Sequence, residues 1–141
     1  MSELERWAAV AGCQQAIHRF YLALDASDFD TVAASMAGHG VWHRQGRALQ
    51  GPEQVRQALA ERPAGRRTAH LVQNLVVDVT APDRATARYM TLVYRVDGAE
   101  AAGPVALPPP LSISMYEERL CRSAQGDWLV EEKRSRRVFG A

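Results

Sequence analysis

The chain has 141 residues, of which 47% are hydrophobic, and 17 Lys and Arg stand against 16 Asp and Glu for a formal charge of +1. That length fits one domain, and the hydrophobic content excludes a disordered chain. The near-neutral balance supplies no global field for nucleic acid or an anionic membrane, so neither is expected as a partner.

The opening "MSELERWAAVAGCQQ" has early acidic residues and no unbroken apolar stretch. It reads as neither a signal peptide nor a membrane span, and a cytoplasmic location is expected. Cys13 and Cys121 lack metal-type spacing and read as free thiols in a reducing compartment. From Ser2 to Ala26, Leu4, Trp7, Ala11, Ile17, Tyr21 and Leu24 recur near helical spacing, which predicts a long amphipathic helix capped by Ser2. Asp28 can cap a short second helix that holds Phe29, Val32, Ala33 and Met36 and ends at Gly38. "GVWHRQGRALQG" predicts a short strand, a glycine turn and a second extended piece. "GPEQVRQALAERP" places Pro52 in the first turn of a third helix that stops before Pro63.

The remainder is β. Thr68 to Thr80 and Arg84 to Val96 flank "APD", and Ile113 to Arg122 and Trp128 to Phe139 flank "SAQGD", which predicts two hairpins. Between them "DGAEAAGPVALPPPLS" carries three consecutive prolines and reads as a long loop. Helices first and antiparallel strands after argue for an α+β fold, with the helices on one face of a curved sheet.

The first long strand raises a question of sides. A two-residue period puts Ala69, Leu71, Gln73, Leu75, Val77 and Val79 on one face, and Thr68, His70, Val72, Asn74, Val76 and Asp78 on the other. Either His70 and Asn74 face water, or they line a cavity between sheet and helices. In the second case a further copy of the chain would cover the apolar face. Asp25, one turn after Tyr21, ends the first helix, where a carboxylate faces the negative end of the dipole. It is therefore either an ordinary helix-end residue or the partner of an opposing imidazole.

"FYLALDASDFDTVAASMAGHGVWHRQGRALQGPEQV" followed by "RRTAHLVQN", with a closing "G-D-W" hairpin, resembles the SnoaL-like branch of the nuclear transport factor 2-like superfamily. Members include scytalone dehydratase, hexachlorocyclohexane dehydrochlorinase and the small subunits of ring-hydroxylating dioxygenases. The resemblance implies a cone-shaped, curved mixed sheet wrapped around three N-terminal helices, a pocket at the open end, and a homodimer or homotrimer formed through the outer sheet face. It also implies a catalytic dyad, and Asp25 and His70 fall at the matching positions. Trp42 or His43 stands where the dehydratase has a pocket tyrosine, and a second pocket His has no counterpart near Tyr89 or Met90.

On this reading Asp25 fixes the tautomer of His70, whose ring acts as a general base. Tyr21 or His43 donates to the oxygen that gains charge, and Trp42, Asn74, Met90, Tyr94, Met115 and Tyr116 line the pocket. The expected activity is a cofactor-independent lyase or isomerase, dehydratase- or cyclase-like, acting on a small apolar, aromatic or polyketide-derived substrate. A ligand-binding module, an oxygenase small subunit and a cofactor-free hydroxylase stay open. His39, His43 and His70 lack ligand-pair spacing, so no metal is expected. The late charges "EEKRSRR" pair across strands with "YEERL" or face solvent.

Overall fold

The computed structural model describes residues 1–99 and 101–140. Helix α1 spans Glu3–Asp25, α2 Phe29–Ala34 and α3 Gly51–Ala60; the strands are β1 Met36–Arg44, β2 Arg47–Gln50, β3 Arg67–Ala81, β4 Arg84–Val96, β5 Ser112–Arg122 and β6 Trp128–Gly140. They form one curved, unclosed sheet in the order β2-β1-β6-β5-β4-β3. The β1–β6 pair is parallel and the remaining pairs are antiparallel, so the sheet is mixed. No helix among the described residues is long and apolar enough to cross a membrane.

A capping box starts α1. The Ser2 hydroxyl accepts from the Glu5 N–H at 3.1 Å, and the Glu5 carboxylate accepts from the Ser2 N–H at 2.7 Å. The buried stripe is Ala9, Cys13, Ile17, Phe20, Tyr21 and Leu24. It departs from the expected stripe in the first half of the helix, where Leu4, Trp7 and Ala11 are exposed. From Cys13 onward α1 lies deep against the sheet, where residues such as Ile17 and Phe20 each contribute roughly 1.5–3 kcal/mol by burial.

The second helix ends earlier than its apolar spacing predicts. Met36 opens β1 instead, because β1 must reach β6, where Met36 pairs with Val130 and the Val130 N–H donates to the Ser35 carbonyl. A bulge between Met36 and Val41 follows. Gly40 sits in it so close to the Val130 carbonyl that a Cβ would collide with it.

A second irregularity changes the reading of β3. Its register with β4 breaks between Gln73 and Val76, and Asn74 takes φ of +55°, a left-handed conformation that Asn tolerates. The extra residue exchanges the two faces. Val72 packs on the core before the break, and Leu75, Val77 and Val79 pack on it afterwards. The uninterrupted apolar outer row expected from strict alternation is therefore corrected: Leu71 and Val76 are exposed, while Leu75, Val77 and Val79 turn inward.

Candidate active site

Asp25 and His70 meet. Asp25 closes α1, and β3 is an edge strand whose free side faces that helix end. The His70 ring Nδ1 lies 2.6 Å from Asp25 Oδ1, and the His70 backbone N–H donates to Oδ2 at 2.8 Å. The Thr68 hydroxyl donates to Oδ1 at 2.8 Å. One carboxylate thus covers part of the open edge and fixes the imidazole. Burial pushes the Asp25 carboxyl up. The hydrogen bonds from the His70 ring and backbone, the His70 charge and the Thr68 hydroxyl outweigh it, so the net shift is downward. An ionised carboxylate only accepts, so Nδ1 carries a proton in this contact, and in the neutral ring Nε2 is then the nitrogen with the lone pair.

His70 borders a cavity of about 410 Å³. Tyr21, Trp42 and Tyr116 also line it, and the Tyr21 ring lies 5.3 Å from the His70 ring, tilted by 32°. His43 reaches the rim, but its Nε2 faces Glu132 Oε2 at 3.2 Å. Asn74, Met90, Tyr94 and Met115 are corrected: none lines this cavity. In β4 the inward row is Ala85, Ala87, Tyr89, Thr91 and Val93, so Met90 and Tyr94 point to the other face. In β5 the inward row includes Ser112, Tyr116 and Glu118, which turns Met115 outward. The bulge carries Asn74 out as well, where its Nδ2 approaches Met90 Sδ at 3.6 Å. Of the long loop, Leu111 lines the cavity, tied by its N–H to the Val93 carbonyl.

Beneath the cavity floor lies a charged pair that sequence reasoning did not bury. Lys133 and Glu118 are joined at 2.9 Å with both side chains 0% exposed. Lys133 Nζ also donates to the Tyr89 hydroxyl at 2.7 Å, and that hydroxyl donates to Glu118 Oε2 at 2.6 Å. The Tyr21 and Tyr89 oxygens are 2.9 Å apart. Since the single Tyr89 proton goes to Glu118, Tyr21 is the donor in that contact. Its proton is engaged in the floor and is not directed into the cavity. Burial raises both Tyr21 and Tyr89 well above the ordinary phenol value and lowers Lys133. Lys133 Nζ sits 4.1 Å from the Phe20 ring centre and 4.7 Å from that of Tyr21, and Tyr116 stacks on Tyr89 at 5.1 Å. The expected cross-strand pairing of "YEERL" with "EEKRSRR" is present, with one pair sealed inside.

Sequence reasoning also missed Arg62 and Thr91. Arg62 donates to the Leu24 carbonyl and to Thr68 Oγ1, behind Asp25. Thr91 belongs to the inward row of β4 and is fully buried on the cavity wall. The signal available was the alternation itself, with Thr91 on the same side of the strand as Ala85, Ala87, Tyr89 and Val93.

The SnoaL-like domain family matches residues 5–134. The chain belongs to this family. Among solved structures, a protein of unknown function from Mycobacterium tuberculosis is 22% identical, with 93% of this chain and 77% of that one covered at a TM-score of 0.80. A candidate scytalone dehydratase from Novosphingobium aromaticivorans is 12% identical, covering 98% and 89% at 0.81. Hexachlorocyclohexane dehydrochlorinase LinA-type3 from Novosphingobium barchaimii is 18% identical, covering 99% and 93% at 0.79. At these identities the likeness establishes the fold of this SnoaL-like chain. No curated protein matches its sequence at a significant level.

Proposed function

We propose that this SnoaL-like protein is a lyase or isomerase whose general base is His70, working without a cofactor on a small ketone of aromatic or polyketide type. The observation that carries the reading is the 2.6 Å contact between Asp25 and the His70 Nδ1, which leaves Nε2 as the free ring nitrogen of a residue that lines the cavity. The dehydratase and dehydrochlorinase named among the structural neighbours lend it weight. Nε2 takes the proton from a carbon next to a carbonyl. The electron pair forms the enolate and then the C=C bond as a β-hydroxyl leaves. The imidazolium returns its proton to that hydroxyl as water forms, and Asp25 stabilises the transient charge. Tyr116 lines the cavity, where a hydroxyl donor would face the enolate oxygen.

The test is carbon–deuterium exchange. A panel of small aromatic and polyketide-like ketones is incubated in heavy water and read by mass spectrometry. Wild type incorporates deuterium or eliminates water, while His70→Ala and Asp25→Asn each lose more than about a hundredfold in rate, the scale of general acid–base catalysis. Full rate in His70→Ala contradicts the reading. Ligand binding with no exchange on any substrate favours the binding module.

The same reading includes self-association. Leu71 and Val76 are exposed on the outer face, with Met90, Tyr94 and Met115 partly exposed beside them. Two or three chains per particle are expected by light scattering, and one chain per particle contradicts it.

A further inference from the structure

Several arginines of this molecule are paired with carboxylates, and others line the cavity. On the outer sheet and turns, Arg84 lies 3.6 Å from Asp83, Arg88 lies 3.7 Å from Asp78, Arg119 lies 3.3 Å from Glu132, and Arg134 lies 2.9 Å from the same carboxylate. Inside the cavity the pattern differs. Its lining includes Arg44, Arg62, Arg66 and Arg95 and, among the described residues, no Asp or Glu. Asp97 pairs with Arg66 at 2.8 Å and stands 3.7 Å from Arg95. No carboxylate of the described residues lies within ion-pair distance of Arg44 or Arg62, and Asp25 is already taken by His70 and Thr68. The chain as a whole is nearly neutral at +1, so this is a local concentration of charge.

Two polar groups in the same hollow lack partners. Arg62 Nε is buried and unbonded, although both terminal nitrogens of that guanidinium are held by Leu24 and Thr68. The Thr91 hydroxyl is buried and unbonded in a residue with no exposed surface. A buried donor without a partner costs about 1–3 kcal/mol, which a ligand accepting from it would recover. Arg44, fixed with its guanidinium carbon 5.5 Å from the Trp42 ring centre, is pulled down first by burial and then by the nearby charges of Arg62 and Arg66. Such mutual repulsion is relieved by an anion.

We propose that the substrate carries a carboxylate, seated against Arg44 and Arg62 at the cavity wall while its acidic carbon faces the His70 ring. The proposal rests on the lyase or isomerase reading of this cavity. Guanidinium forks match carboxylate geometry better than they match any neutral group. A volume of about 410 Å³ admits a compact aromatic or polyketide skeleton along with that group.

The experiment is calorimetric binding of 1-naphthoate and of its neutral analogue 1-naphthamide to the full chain. Naphthoate binds at least tenfold tighter, and raising NaCl from 50 to 500 mM weakens naphthoate severalfold but leaves naphthamide unchanged. Arg44→Gln lowers naphthoate affinity at least tenfold, and Arg88→Gln, on the outer face, does not. Equal affinity for the two compounds, no binding of naphthoate at 5 mM, or an unchanged affinity in Arg44→Gln overturns the carboxylate. The comparison of compounds needs no variant, so it decides even if Arg44→Gln does not fold. Affinity is read without turnover. Selective naphthoate binding with no deuterium exchange on any ketone therefore sinks the lyase reading alone, and exchange on neutral ketones with equal affinities sinks the carboxylate alone.

Discussion

Two hydrogen-bonded pairs lie close to the Tyr21 ring, with Lys133 Nζ 4.7 Å and the His70 ring 5.3 Å from its centre, and they differ in exposure. The Lys133–Glu118 pair is sealed, both side chains at 0% exposure, and its donors are directed at Glu118 and Tyr89. The His70–Asp25 pair keeps side-chain exposures of 14% and 22%, and leaves one ring nitrogen beside a cavity. A pair shut away from solvent rigidifies, even with Glu118 Oε1 buried and unbonded, whereas one that borders a cavity can exchange a proton with something that enters. The two pairs are of similar length, 2.9 and 2.6 Å, and differ in their access to a cavity.

The sharpest way to break the comparison is to remove one member from each pair. His70→Ala should cost about 10²–10⁴ in turnover, the range of general acid–base catalysis, while the melting curve keeps its cooperativity. Lys133→Met should do the reverse. Leaving Glu118 buried without its cation costs about 3–5 kcal/mol in denaturant unfolding, and adding Glu118→Gln should restore part of that loss. An unchanged midpoint in Lys133→Met would mean that the pair is not sealed.

Smaller changes sharpen the contrast. Tyr89→Phe removes the hydroxyl that joins Lys133, Glu118 and Tyr21, and should cost about 1–3 kcal/mol in the same unfolding assay. Acid separates the surface from the site. Glu132 is drawn down from 4.5 to about 2 by hydrogen bonds from Arg134 and His43, and Asp25 is held below 3.8. Both folded values lie below the unfolded ones. Their stabilisation is therefore complete above about pH 4.5 and is lost as pH falls through the folded values. Melting temperatures followed from pH 6 down to 2 should drop less steeply in Asp25→Asn than in wild type. Glu132→Gln should flatten the curve less, since solvent screens its partners. Equal slopes in wild type and Asp25→Asn would contradict the lowered carboxyl.

Much of this was legible in the sequence, and the misses have physical causes. Pro82 and the "SAQGD" turn marked both hairpins, because turn chemistry is local. The Asp25–His70 meeting was legible through resemblance joined to an awkward carboxylate at a helix end. Asn74 defeated the two-residue period, since a bulge is set by how β3 bends against β4 and not by side-chain pattern. Met90, Tyr94 and Met115 read as apolar walls, but composition does not say which side of a strand is concave. Lys133 could not be placed from "EEKRSRR", because a lysine is buried only when Glu118 and Tyr89 arrive from other strands to receive it.

The central claim is that Asp25 holds the His70 proton on Nδ1 and leaves Nε2 as the base. Nitrogen-15 NMR of the His70 ring at pH 8 measures this directly, with no substrate. A protonated Nδ1 and an unprotonated Nε2 in wild type, with that preference lost in Asp25→Asn, is the predicted result. A proton on Nε2 in wild type, or the same tautomer in both proteins, would contradict it.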